Sequence, residues 1–383
     1  MVLADASNQD SLPNIHLDWG IDEMRELTQQ EAKDIQIGAS IMSTGGGGDY
    51  LDGFEAIEIC KQRNQQITLL GMEDLNPEGF YVSVGMIGAI SEETRMPVEQ
   101  MIELMAEAVK ILEDSMNVKF EGIISPELGG ITGMAIGVAV LLGIPMLDCD
   151  AAGRAVPLMD HTTFNIVNID SCPVSIATKY GDAIVINEAL NAERLEHLLR
   201  AMAVASGNVA STFNPIQGKW LKDSTIPSAL TVCEKIGKAQ RESTELGRDP
   251  IQSIIEAGQG YVLFKGNVNK DTEWETKSGF TIGTVGINGI EEFNNQTFKL
   301  WYKNEHLISW KNDQSFVTCP DLLCVLDKQT GLPVSNPNCK EGDTVVVLGF
   351  KADPIWRTER GIELLNPKVF NYDIEYRPIE ELV

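Results

Sequence analysis

The chain carries two hydrophobic textures. Up to about residue 250, apolar runs of strand length stand between segments whose apolar residues recur every three or four positions. Beyond that point the runs are short, alternating and split by Gly, Asn and Asp turns. "QITLLG", "FYVSVGMIGAI", "FEGIISP", "IPMLDCD" and "GDAIVINEA" read as strands. "PVEQMIELMAEAVKILEDSM", opened by Pro97, and "NAERLEHLLRAMAVA" have helical spacing, and "ITGMAIGVAVLLG" is apolar all round, as a buried helix is. Thr28-x-x-Glu31 has the form of a capping box and opens a helix through "QEAKDIQIGASIM". Further helices are expected from near Asp52 and over "IPSALTVCEKIGKAQRES". This alternation predicts an α/β layered N-terminal domain with a mostly parallel sheet. "GYVLFKGNVNK", "GFTIGTVGING", "QTFKLWYKNEHLISWKN" and "GDTVVVLGF" predict a mainly β C-terminal domain, barrel- or sandwich-like, with Trp301, Tyr302 and Trp310 read as sheet packing. The expected division is a lead-in over 1–26, the α/β domain over 27–250 and the mainly β domain over 251–383.

Composition narrows the function classes. Asp and Glu number 56 against 30 Lys and Arg, a net charge of −26, which repels phosphate backbones and anionic membranes. Nucleic acid is therefore not an expected partner, and no apolar run is long enough to cross a membrane. The first residues, "MVLADASNQDSLPNIHLDWG", lack the basic and apolar regions of a signal peptide and read as a polar lead-in, mobile up to about Asp18. Seven scattered cysteines with no C-x-x-C suit free thiols in a reducing cytoplasm. A homo-oligomer is the default expectation for a soluble protein.

Three stretches carry candidate chemistry. "STGGGGDY" places Gly45, Gly46, Gly47 and Gly48 in a row before Asp49, after a helix and just before another. That context fits neither a dinucleotide fingerprint nor a phosphate-binding P-loop. Four glycines expose backbone N–H groups and let a ligand approach closely, so a ligand cradle is expected, against a tight link needing positive φ. "SPELGGITG" follows a strand, placing Glu127, Gly129 and Gly130 at the strand's C-terminal end, where ligands bind in open α/β sheets. "LDCDAAGRAVP" also follows a strand. Asp148 and Asp150 share one side of it and Cys149 the other, with Arg154 beyond. Two carboxylates on one side can have their pKa values pushed apart, as acid–base chemistry requires. A structural Asp–Arg pair is the plainer alternative.

"STGGGGDY", "PELGG", "DCDAAGRAVP" and the closing "IWRTERGIELLNPKVF", in this order, resemble the family first catalogued as DUF917 and now named S-methyl thiohydantoin desulfurase. The resemblance runs from about residue 27 to about 375. It implies an α/β domain joined to a mostly β one, and a small cyclic amide or thioamide substrate of the thiohydantoin or hydantoin type. Because the family often stands beside hydantoinase and oxoprolinase subunits, it also implies a partner of that type. Three positions depart from the family pattern: Tyr50 directly after Asp49, Thr132 after the glycine pair, and Leu158 after Pro157. They line the expected pocket and bear on substrate identity.

Desulfuration of an S-methyl thiohydantoin requires water attack at C2 and loss of thiol, leaving a hydantoin. On this basis Asp150 or Asp148 is the expected base, Glu127 the acid, and Arg154 the ligand of a ring carbonyl. The amides of Gly45–Gly48 and Gly129–Gly130 are the expected donors, with Asp49 positioning the ring. No cofactor is required by the sequence. A divalent metal would draw on Asp148, Asp150, Glu127 and His161. Cys149 and Cys172 are secondary nucleophile candidates, read first as structural thiols. Two alternatives stay open: hydrolysis of another cyclic amide, and a non-catalytic accessory or ligand-binding role beside a hydantoinase-like complex.

Overall fold

The computed structural model describes residues 24–88, 96–277 and 279–383. Residues 1–23 of the expected lead-in, and Ala89 and Ile90 at the end of one expected strand, lie outside the described residues. In chain order the first part lays down β1 (Arg25–Leu27), α1 (Gln29–Met42), α2 (Tyr50–Gln62), β2 (Ile67–Leu70), β3 (Phe80–Gly88), α3 (Val98–Met116), β4 (Phe120–Ser125), α4 (Gly130–Leu142) and β5 (Met146–Asp150). There follow α5 (Thr163–Ile166), β6 (Val174–Thr178), β7 (Ala183–Ile186), α6 (Ala192–Ser206), β8 (Asn208–Gln217), α7 (Gly218–Ser224), β9 (Ile226–Pro227), α8 (Ala229–Glu245) and α9 (Pro250–Gly258).

The expected capping box opens α1. Glu31 N–H donates to Thr28 Oγ1 at 3.2 Å, and Thr28 N–H donates to Glu31 Oε2 at 2.7 Å. Strands β2, β5, β4 and β3 run parallel in that order, so Leu70, Asp150, Ser125 and Gly88 end on one edge of the sheet. Apolar α4 lies wholly inside, and α3 buries Ile102, Met105, Val109 and Leu112 in the same core. Antiparallel strands extend this parallel centre, with β1 on β2 and β8, β6 and β7 beyond β3. Strand β8 is buried along most of its length, although "NVASTFNPIQ" reads as polar. Its Ser211 donates to Ser175 O at 2.9 Å, and Thr212 Oγ1 accepts from Ser175 N–H at 2.9 Å. Paired hydroxyls let polar residues fill an interior strand, which periodicity cannot reveal.

The second part forms an antiparallel sheet from β10 (Tyr261–Val268), β11 (Glu273–Lys277), β12 (Phe280–Gly289), β13 (Thr297–Lys303), β14 (Glu305–Lys311), β15 (Gln314–Thr318), β16 (Leu322–Asp327) and β17 (Thr344–Phe350). One face encloses Phe264, Ile287, Leu300, Tyr302, Val325 and Val347. The other contributes Leu307, Leu322, Leu348 and Phe350 to a core shared with Ile37 and Ile41 of α1 and Ile236 of α8. Trp301 packs against Phe370 and Tyr372, and Trp310 against Tyr372. The two domains thus meet over an apolar interface, whose polar border is the C-terminal edge of the parallel strands.

Candidate functional site

The glycine run lies at that border, held between the two domains. Thr44, Gly45, Gly47 and Gly48 all have positive φ, from 55° to 87°. On one side the run meets the turn after β4. A Cβ at Gly47 would fall 2.3 Å from Leu128 O, and Ile131 N–H donates to Gly47 O at 3.0 Å. On the other side it meets the start of β14. A Cβ at Gly46 would fall 2.0 Å from Glu305 Oε1, and one at Gly45 would fall 2.7 Å from His306 Cε1. His306 N–H donates to Thr44 O at 2.7 Å, and Asn336 N–H to Gly45 O at 2.8 Å. A side chain at Gly45, Gly46 or Gly47 would collide with these surfaces, while Gly48 answers to its φ of 87°, and together these are the physical reason for consecutive glycines. Much of the expected cradle is therefore filled by the protein itself. Gly48 is exposed, with its nearest contact atom at 3.7 Å, and Asp49 caps α2 by accepting from Leu51 N–H at 3.0 Å. Gly129, at φ 146°, and Gly130 press against Gly47 and the Asp49 carbonyl. The Thr132 hydroxyl accepts from Gly129 N–H at 3.2 Å, which holds this turn.

The expected catalytic residues separate into different tasks. Asp148 faces the N-terminus of α8, where it accepts from Thr231 N–H at 2.9 Å and Thr231 Oγ1 at 2.5 Å. Its carboxylate caps that helix, a different task from the base expected of it. Asp148→Ala is expected to cost about 1–2 kcal/mol, read as a lower urea midpoint. Loss of turnover at unchanged stability would instead return Asp148 to the chemistry.

Arg154 also departs from its expected role. It is fully buried and its guanidinium is committed to protein acceptors. Nε donates to Ala155 O, Nη1 to Pro320 O and Asp321 O, and Nη2 to Thr44 Oγ1 and His306 O, at 2.9–3.3 Å. All five N–H groups are used, so none is left for a ring carbonyl. Arg154 clamps the β domain onto the glycine loop.

Asp150 is completely buried and accepts from Ala152 N–H at 3.0 Å and Gly153 N–H at 2.7 Å. Burial pushes its pKa up to about 8. Glu127 is half-buried at the end of β4 and accepts from Val156 N–H at 2.9 Å. Burial raises it to about 7. Across the glycine loop stands Glu305, 2 % exposed, with Oε2 lacking a partner among the described residues. Burial, and then the neighbouring charge of Glu127, push its pKa well up, while the Gly47 N–H and Arg154 oppose the shift. Glu127 and Glu305 come from different domains and flank the glycine loop, near enough for the charge of Glu127 to act on Glu305.

These shifts have a pH signature. Asp150 and Glu127 bind protons in the folded protein that the unfolded chain releases above about pH 4. Their contribution to stability is lost as pH rises from about 4 through the folded values of about 7 and 8. Buried His161 and His306, depressed to about 3 and about 4, act in the opposite direction, but only up to the ordinary histidine range near 6.5. Urea midpoints should therefore fall between about pH 6.5 and 8, and the fall should shrink in Asp150→Asn, whose amide oxygen can still accept from the turn. An unchanged profile in that variant would remove Asp150 as a source.

Cys149 lies on the opposite face of β5 from the aspartates, and burial raises its thiol far above the reactive range. Cys172 is half-buried and also raised, first by burial. Of the four metal candidates, Asp148 faces α8, Asp150 holds its own turn, Glu127 accepts from Val156 N–H and His161 packs against Phe370. Among the described residues, no group of three or more His, Cys, Asp and Glu side chains forms a metal-holding arrangement. No helix among them is long and apolar enough to cross a membrane.

Residues 30–188 match the model of the S-Me-THD-like N-terminal domain and residues 190–379 that of the S-Me-THD-like C-terminal domain. The chain belongs to this S-Me-THD-like family, which supports a hydantoin-related enzyme family as its class. The particular reaction is not named by any relative, because no curated protein matches the chain. A crystal structure of a protein from Chromobacterium violaceum has the same fold, at a TM-score of 0.75 and 17% identity. The match covers 93% of this chain and 100% of that one.

Proposed function

We propose that the chain is a hydrolase of thiohydantoin- or hydantoin-type rings, and that its reaction is desulfuration of an S-methyl thiohydantoin. The observation that carries this reading is that Glu127 and Glu305 flank the glycine loop, near enough for the charge of one to act on the other. Burial brings one carboxyl to about 7, and burial and the neighbouring charge push the other well above the usual carboxylate range. Such a pair can take up one proton and give another in a single event.

Glu127, reached by solvent, removes a proton as water adds to C2. Glu305 gives its proton to the ring nitrogen. The tetrahedral adduct then collapses: the hydroxyl proton returns to Glu305, the C2–S bond breaks, and the proton held by Glu127 leaves with the sulfur as methanethiol. Water is consumed, and a hydantoin carbonyl and N–H are formed. The same pair would serve another cyclic amide, so substrate choice falls to the residues around it. The test is release of methanethiol from S-methyl thiohydantoins, followed by mass spectrometry with and without chelator. No thiol from any such ring, with the protein folded and bound to a hydantoinase-type subunit, would move the chain to an accessory role.

A further inference from the structure

Near the two carboxylates lies a second group of polar atoms without partners among the described residues. Strands β13 and β14 join at Asn304, whose φ of 63° makes the turn, and Lys303 stands directly opposite Glu305 in the register. The tip is fixed to its surroundings. Thr281 N–H donates to Asn304 Oδ1 at 2.9 Å, and Asn336 Nδ2 donates to Asn304 O at 2.8 Å. Facing it from the α/β domain are Asp160 and His161, in the segment that follows Arg154. His161 is 1 % exposed, and among the described residues neither of its ring nitrogens has a partner. Nε2 stands 3.6 Å from Asp160 Oδ1, beyond hydrogen-bond reach, and that oxygen is itself buried and unpartnered. Phe370 holds the imidazole edge-to-face at 5.7 Å between centroids. The Lys303 ammonium sits 4.0 Å from the Phe280 ring centroid, and its charge acts on His161, Asp160 and Glu305. The unpartnered atoms of Asp160 and His161 each carry a desolvation cost that a complementary ligand removes.

The chemistry of the group selects the ligand. Asp160 accepts only, Lys303 donates only, and a neutral imidazole does one of each. Lys303 and Asp160 balance in charge, and nearby Glu196 is already bonded by Arg200 at 2.7 Å. A charged ligand would upset that balance, whereas a neutral ring edge with adjacent N–H and C=O groups matches it. We propose that Asp160, His161 and Lys303 form the recognition subsite for the cis-amide edge of a neutral five-membered ring, with Asp160 accepting from the ring N–H and His161 and Lys303 donating to its carbonyls. This rests on the ring-hydrolase reading and deepens it. Specificity lies in the hairpin tip and the 160–161 segment, whereas the chemistry lies in Glu127 and Glu305.

The test is equilibrium binding of hydantoin and of N3-methylhydantoin, which lacks that N–H, to wild type, Asp160→Ala and Lys303→Met. The protein would be labelled with ¹⁵N-histidine. Its four histidines give a simple imidazole spectrum, which His161→Phe assigns. Hydantoin should bind wild type and shift the His161 nitrogens. It should bind Asp160→Ala and Lys303→Met at least tenfold more weakly, and N3-methylation should cost wild type a similar factor. Affinities within twofold across the variants, unmoved His161 signals, or no hydantoin binding by wild type would each overturn the subsite. If thiol release meanwhile vanished in Glu127→Gln, hydrolysis would still stand. Wild type that binds hydantoin as described but releases no thiol would overturn the hydrolysis and keep the subsite.

Discussion

Replacing Glu127 by Gln is expected to lower thiol release by about 10²–10⁴-fold, the usual worth of a positioned general acid–base group. The substitution is nearly isosteric, and its amide oxygen can still accept from Val156 N–H, which the carboxylate meets at 2.9 Å. Folding should therefore be little changed, and the loss should appear in kcat more than in KM. A pH profile separates this role from a structural one. Wild-type kcat/KM should rise through a pKa near 7, the value to which burial brings Glu127, and that limb should be absent from the residual activity of the variant. Glu305→Gln should be similarly inactive, and the two losses should not add, because the groups act as a pair. Full activity in Glu127→Gln would remove the carboxylate pair from the mechanism.

Replacing Arg154 by Met should produce the largest loss of stability, on the order of 3–5 kcal/mol, out of the roughly 5–15 kcal/mol typical of a folded domain. The side chain is completely buried, and its removal strands the carbonyls of Ala155, Pro320, Asp321 and His306 together with the Thr44 hydroxyl. Each group would lose its donor with no water to replace it. Lys cannot rescue the site, because its single ammonium cannot reproduce the planar five-donor fork. Urea denaturation should show an early loss of β-domain docking, or a chain that does not fold at 37 °C. Stability within 1 kcal/mol of wild type would mean that the domains are held by their apolar interface alone.

The broad architecture was legible because it rests on periodicity. Helical spacing marked α3 and α6, and uniform apolarity marked α4. Thr28 and Glu31 announced the start of α1, and short alternating runs split by turn residues announced the β domain. Strands β6 and β8 were not legible, since β8 fills buried positions with Ser and Thr whose hydroxyls find partners only after the chain has folded. The glycine run was legible as a place of close backbone approach, because only glycine tolerates it. What approaches it was not. Local sequence placed Glu127 near the run at a strand end, but Glu305 and His306 stand more than 250 positions away in what reads as an ordinary hairpin.

Roles divided along the same line. Asp148, Asp150 and Arg154 carry the right functional groups at strand ends, and residue type alone makes all three candidates for chemistry. Tertiary contacts decided otherwise for two of them. The N-terminus of α8 takes up Asp148, and backbone and hydroxyl acceptors from both domains take up every donor of Arg154. By itself the sequence determined the elements, their order and the places where the backbone must come close, because these depend on local sterics and on the spacing of apolar side chains. The tertiary structure alone decided which side chains are taken up by structural partners and which carboxylates come near the glycine loop, because desolvation and hydrogen bonding depend on neighbours distant in the chain.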